Sequence, residues 1–371
     1  MLAYLRKYDW VMLGSVLAAT AFGLVILYST SLPPQGDTSL TALGATAGDF
    51  GNFWKQVVFA AVGLTLALAL PIIDYRHLAG ASKVIYIFGA VLLASVLIFG
   101  RTVRGTTGWF GIGGLGIQPV ELVKIILVIF LAKYFSDYAR DRDALRPLIG
   151  SGLAFAVVFV LTAAQPDFGS AALLGIVWLA MLLIAGVKRK HLIAFIVLGA
   201  VVAAVGWTLL LQPYQRDRVL AFVSPSSDPL GRGYNVAQSV IAVGSGGLWG
   251  KGLGYGSQGQ LRFLPERQTD FIFAVMAEEL GFLGVAAVLL LFVAFFRQAY
   301  RLAAASRDDF TLFLILGISA SLAVEMVINI GGNMRLLPVT GVTLPFLSYG
   351  GSSLISKFIA VGLLESVAVR R

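Results

Sequence analysis

"VMLGSVLAATAFGLVILY" (Val11 to Tyr28) is an uncharged apolar run behind Arg6 and Lys7. A basic pair before such a run can open a secretory signal. Here the run is about 18 residues long and no small-x-small cleavage site follows it closely. That length matches a membrane-spanning helix better than a signal core. The whole chain agrees: of 371 residues, 58% are hydrophobic and 13% charged, and the mean hydropathy is +0.86. A water-soluble surface needs far more charge, so the sequence describes a polytopic membrane protein.

Applied along the chain, the same length criterion gives ten spans, near 11–29, 53–72, 82–100, 120–136, 147–164, 168–187, 190–211, 270–296, 311–331 and 350–369. All are expected to be helical, because an isolated strand cannot satisfy its backbone in lipid. The predicted fold is therefore all-α, a single unit over residues 1–371. With both termini inside, sixteen of the 28 Lys and Arg residues fall at short inner loops, which sets the orientation by the positive-inside rule. The net charge of +9 fits basic inner loops, and no run of basic residues interleaved with aromatics suggests nucleic acid.

Arg101, Arg104, Arg216, Arg218, Arg232, Lys251, Arg262, Arg267 and Arg335 are left on the outer side, a cationic surface suited to an anionic ligand such as a phosphate. Three outer segments are irregular. The large loop, about 212–269, is rich in Gly, Ser, Pro and Asp. "RTVRGTTGWFGIGGLGIQP" (Arg101 to Pro119) is too apolar for a solvated loop and too glycine-broken for a span, and is expected to be partly re-entrant. "GGNMRLLPVTGVTLPFLSYGG" (Gly331 to Gly351) has the same character. "GIGGLG" (Gly111 to Gly116) lacks the βαβ setting of a dinucleotide site, and "GGLWGKG" lacks the first Gly and the Ser/Thr of a phosphate-binding loop.

Residue types narrow the chemistry. Cysteine is absent, which removes disulfides and thiolate nucleophiles, and the two histidines, His77 and His191, fall at inner loops. Chemistry on the outer face must then use carboxylates, Lys, Arg, Tyr or hydroxyls, not a histidine triad or a zinc-histidine centre. Charges inside spans are costly unless paired or wetted. Glu121 and Lys124 share a helical face at i, i+3, as an internal ion pair or as a cavity lining. Asp167 in "QPDFGS" opens the sixth span, as a helix N-cap or as a cavity residue. Glu278, Glu279, Glu325 and Lys357 also lie within spans.

"FLPERQTDFIFAVMAEELGFLG" (Phe263 to Gly284) runs a charged cluster, Glu266, Arg267 and Asp270, directly into a span. Asp270 reads either as a helix-terminal carboxylate, with Thr269 the N-cap, or as an acid-base group. Glu278 and Glu279 lie roughly 12 Å deeper by helical rise, placed to shape a polar cavity.

Residues Arg216 to Gly284, together with "LLPVTGVTLPFLSYGGSSL" (Leu336 to Leu354) and "QPDFGSA", closely resemble the signatures of the SEDS family, the RodA/FtsW/SpoVE type of bacterial cell-wall proteins. With the ten-span pattern, the resemblance covers essentially the whole chain. Short inner termini resemble RodA, the elongation member, more than FtsW, the division member. The resemblance implies a peptidoglycan glycosyltransferase of the bacterial cytoplasmic membrane that polymerises lipid II on the outer face and releases undecaprenyl diphosphate. It also implies a class B penicillin-binding protein as transpeptidase partner, and Asp270 as the residue on which activity depends. In that reading Asp270 is the general base. Arg216, Arg218, Lys251, Arg262 and Arg267, or a divalent cation (Mg or Mn), stabilise the leaving diphosphate. Glu121, Lys124, Asp167 and Glu266 line the cavity. The competing classes are a lipid II flippase and a silent scaffold; the absence of an internal repeat and the gathering of motifs at one face weigh against transport.

Overall fold

The computed structural model describes residues 7–33, 49–103, 105–112, 115–139, 145–188, 190, 191, 193, 194, 197, 199, 232–261 and 263–371. Its helices are α1 (Trp10–Ser31), α2 (Gly51–Ala69), α3 (Arg76–Phe99), α4 (Pro119–Asp137), α5 (Leu145–Ala163), α6 (Phe168–Ile184), α7 (Arg232–Ser245), α8 (Ser257–Gln260), α9 (Ile272–Ala304), α10 (Asp309–Asn333) and α11 (Gly351–Val369). Among the described residues, nine of the ten expected spans coincide with α1–α6 and α9–α11. The expected span 190–211 lies mostly outside them. Six of the nine helices are long and apolar enough to cross a membrane. The shorter α5 and α6 are apolar, and α4 carries Glu121 and Lys124.

Aspartate caps fix three of the helix starts by accepting otherwise unpaired backbone N–H groups. Asp9 accepts from Met12 N at 3.0 Å, Asp167 from Ser170 N at 3.1 Å and Asp308 from Thr311 N at 2.8 Å. The helices then pack as α1 on α9, α2 on α11, α3 on α4 and α4 on α10. The approach of α2 to α11 needs a missing side chain: a Cβ on Gly63 would lie 2.4 Å from the ring of Phe358, itself fully buried.

The segment after α3 departs from the re-entrant expectation. It folds as a three-stranded antiparallel meander, β1 (Arg101–Val103), β2 (Thr106–Ile112) and β3 (Leu115–Ile117). Gly105 turns the first hairpin at φ 83°. Once the strands bond to each other, their backbone needs no enclosing cavity. The other segment, Gly331 to Gly351, does enter protein: Val342, Leu344, Phe346 and Leu347 are buried. Gln56 on α2, also buried, holds its C-terminal end by donating to Ser348 O (3.0 Å) and accepting from Gly350 N (3.1 Å).

Helix α9 is interrupted at Gly281, whose φ 65°, ψ −165° is open essentially only to glycine. The released backbone groups bond the outer loop. Lys251 N and Gly252 N donate to the carbonyls of Glu278 and Glu279, both at 3.0 Å, and Phe282 N donates to Gly247 O at 2.9 Å. Part of the large loop is thereby stitched along the helix.

Candidate active site

A cavity of about 1280 Å³ opens at one end of the bundle. Its walls come from the end of α1, the starts of α2, α4, α6 and α11, the meander, and the segments before α9 and α11. By the positive-inside assignment this is the outer end.

Asp270 lies on the wall, and the residues of its segment are tied to α1, α2, α8, α10 and the loop before α11. Arg267 donates to Thr30 O at the end of α1 (2.8 Å) and to Gly259 O. Gln268 receives a bond from Asn52 of α2 (2.8 Å) and donates to Thr30 Oγ1 (3.1 Å). Thr269 O accepts from Ser348 Oγ (2.7 Å), and Asp270 O accepts from Asn329 and Asn333 of α10 (3.0 and 2.8 Å). Helix α9 begins beyond Asp270. Its N-cap is Phe271, which makes no side-chain cap bond, so the expected Thr269 cap is not formed. Gly341 faces the carboxylate: a Cβ there would stand 3.8 Å from Asp270 Oδ2. Glu266 and Arg267 line the same wall.

Glu121 and Lys124 are placed where both readings put them. They line the cavity floor, and they belong to a buried quartet. Lys124 pairs with Glu121 (2.8 Å) and Glu325 (2.6 Å), while Lys357 pairs with the same two carboxylates at 2.6 and 2.9 Å. Asp167 likewise both caps α6 and lines the cavity. Its second oxygen accepts from Ser170 Oγ (2.7 Å) and Gln118 Nε2 (3.1 Å).

Lys251 lies elsewhere. It donates to Glu278 at 2.7 Å and to Ser257 at 3.0 Å, outside the cavity lining. Glu278 and Glu279 are not cavity groups either. Glu278 also accepts from the N–H of Gln258 (3.1 Å) and so holds the loop to α9, while Glu279 accepts from Ser29 Oγ (2.5 Å) and ties α9 to α1. Both were expected to shape the cavity, but the break at Gly281 brings the loop to them in place of the cavity. Arg216, Arg218 and Arg262 lie outside the described residues.

The sequence missed Lys55, on the outer turn of α2, as a site residue, and Arg101 was noted only as an outer cation. Both line the cavity, and neither has a salt-bridge partner among the described residues. Tyr349 also lines it, and burial pushes its phenol pKa up, which keeps the hydroxyl a neutral donor. No three Asp, Glu, His or Cys side chains among the described residues form a metal-holding group. Glu266 and Asp270 on the cavity wall suit instead a magnesium-type ion, which binds one or two carboxylates and takes its other oxygens from phosphate and water.

The family model described as "Cell cycle protein", for FtsW, RodA and SpoVE, matches residues 9–371. The peptidoglycan glycosyltransferase MrdB of Escherichia coli (strain K12) is 37% identical over 338 residues, 90% of each chain. A solved structure described as "Structural coordination of polymerization and crosslinking by a peptidoglycan synthase complex" superposes with a TM-score of 0.77 at 32% identity, covering 97% of both chains. The crystal structure of the Thermus thermophilus rod shape determining protein RodA superposes at 0.68 with 30% identity, covering 97% of this chain and 96% of that one.

Proposed function

The chain belongs to the SEDS family of FtsW, RodA and SpoVE proteins and is a multi-pass peptidoglycan glycosyltransferase, and from that premise we propose that it polymerises lipid II at the outer face of the bacterial cytoplasmic membrane, with Asp270 as general base. The observation that carries this reading is the seating of Asp270: a carboxylate held by its neighbours' backbone bonds on the wall of a roomy, outward-opening cavity that also presents Lys55 and Arg101.

In this reading Asp270 accepts the proton of the acceptor sugar's 4-hydroxyl as that oxygen bonds the donor's anomeric carbon. The bond from that carbon to the diphosphate breaks, and undecaprenyl diphosphate leaves with the electron pair. Lys55 and Arg101, which replace Lys251 in this role, stabilise the departing charge. A divalent cation bound beside Asp270 and Glu266 would neutralise diphosphate oxygens. Arg267 serves differently, because its guanidinium is engaged by the carbonyls of Thr30 and Gly259 and holds the Asp270 segment in place.

The partner in this proposal is a class B penicillin-binding protein, supported by the likeness to a synthase complex that couples polymerisation to crosslinking. The likeness to a rod shape determining protein supports a role in elongation. The test is polymerisation of purified lipid II by the protein with its transpeptidase, with and without Mg²⁺, comparing wild type with Asp270→Asn. Glycan strands from wild type and none from a folded, partner-bound variant are expected. Equal polymer from both would remove Asp270 from the site. Lipid II crossing vesicles without polymer would replace the transferase with a transporter. Depletion in cells should give rounding; filaments would point to division instead.

A further inference from the structure

Helix α10 carries two asparagines one turn apart, Asn329 and Asn333, both buried beneath the Asp270 segment. Their amide orientations follow from their partners, since a carbonyl can be met only by the NH₂ and an N–H only by the oxygen. Asn329 Nδ2 donates to Asp270 O (3.0 Å) and Val342 O (2.8 Å), joining the catalytic segment to the loop that faces its carboxylate. Asn333 Nδ2 donates to Asp270 O at 2.8 Å, and Asn333 Oδ1 accepts from Ala274 N at 3.2 Å.

Asp270 O and Ala274 N–H are i and i+4. In a continued helix they would bond each other. Instead the carboxamide of Asn333 stands between them, satisfying the carbonyl with its NH₂ and the N–H with its oxygen. The next pair is normal: Val275 N donates to Phe271 O at 3.2 Å. The helix therefore begins one step late, and Asp270 is left off its end, on the cavity wall. Because the inserted amide satisfies both groups, the interruption leaves no bare peptide inside the protein.

We propose that Asn333, supported by Asn329, is a positioning residue for the transfer reaction: its side-chain amide occupies the first hydrogen-bond slot of α9 and so keeps Asp270 out of the helix and in reach of substrate. This rests on Asp270 being the proton acceptor. Without the wedge, Asp270 O can bond Ala274 N–H, the helix gains a residue at its start, and the carboxylate rotates with it. Misplacement by about 1 Å is enough to cost roughly 100-fold in rate.

The experiment measures kcat and KM for lipid II across pH for the complex with its transpeptidase, in wild type, Asp270→Asn, Asn333→Ala and the isosteric Asn333→Asp. Asn333→Ala is expected to keep KM and partner binding and to lose about 100-fold in kcat. Asn333→Asp should be folded but slow at neutral pH, where an ionised carboxylate faces Asp270 O. Its activity relative to wild type should rise as pH falls, because the protonated carboxyl again donates to Asp270 O while accepting from Ala274. Wild-type kcat in Asn333→Ala, or an Asn333→Asp profile parallel to wild type, overturns the positioning role. So does loss of fold in both variants, which would make the amide a packing requirement only. If Asp270→Asn polymerises normally, Asp270 leaves the site and the positioning role falls with it; if it is inactive while Asn333→Ala is not, the positioning role falls alone.

Discussion

Replacing Lys357 with Met should destabilise the bundle far more than its single charge suggests. In the quartet, each ammonium contacts both carboxylates within 2.6–2.9 Å, and all four side chains are buried. Two positive and two negative charges sum to zero. Lys357→Met leaves Glu121 and Glu325 to share Lys124, one net negative charge among buried side chains. Breaking a buried ion pair from one side costs about 3–5 kcal/mol. Adding Glu325→Gln restores neutrality, because Glu121 and Lys124 still face each other at 2.8 Å. The double variant should therefore be more stable than Lys357→Met alone, with a coupling of about 1–3 kcal/mol. Reversible unfolding in mixed micelles, titrated with SDS and followed by circular dichroism, measures all four corners of the cycle. Additive losses would refute the reasoning, since they would mean that water or rearrangement already screens the quartet.

Other expectations follow from local geometry. Gly281→Ala forces a side chain into a glycine-only conformation and places its Cβ 2.2 Å from Gly250 N; a loss of at least about 3 kcal/mol is expected in the same unfolding assay. Asp167→Ala should cost about 1 kcal/mol through the lost cap, and Asp167→Asn, which keeps an acceptor for Ser170 N, much less. Lys55→Ala and Arg101→Ala should each raise KM for lipid II about tenfold, the scale of one hydrogen bond to a charged group. Added salt should weaken wild type more than the variant carrying both Lys55→Ala and Arg101→Ala; unchanged KM in both single variants would send the diphosphate elsewhere.

The spans were legible because a bilayer imposes one length and one composition on every helix that crosses it, and Val11–Tyr28 already displays both. The cap at Asp167 was legible from a local rule. The quartet was half legible: Glu121 and Lys124 share a face by spacing, but their pairing with Glu325 and Lys357 joins residues 201 and 236 positions apart. The meander was missed because glycine and apolar content describe a re-entrant segment and a short sheet alike. Lys251 was misplaced because nothing local announces that Gly281 breaks a helix and draws the loop to Glu278. The Asn333 wedge was invisible for the same reason, as it acts on a helix start 59 residues away.

The quartet under the cavity has a consequence for energetics across the membrane. A full charge moved through the membrane voltage exchanges about 2.3 kcal/mol per 100 mV. Here two lysines and two glutamates are locked to one another and cancel, so the field finds no net charge to move. A carrier taking an anionic diphosphate lipid across the bilayer would feel the voltage at every cycle. A polymerase working from a cavity with this neutral floor should run equally fast in energised and de-energised membranes, driven only by the bond it breaks.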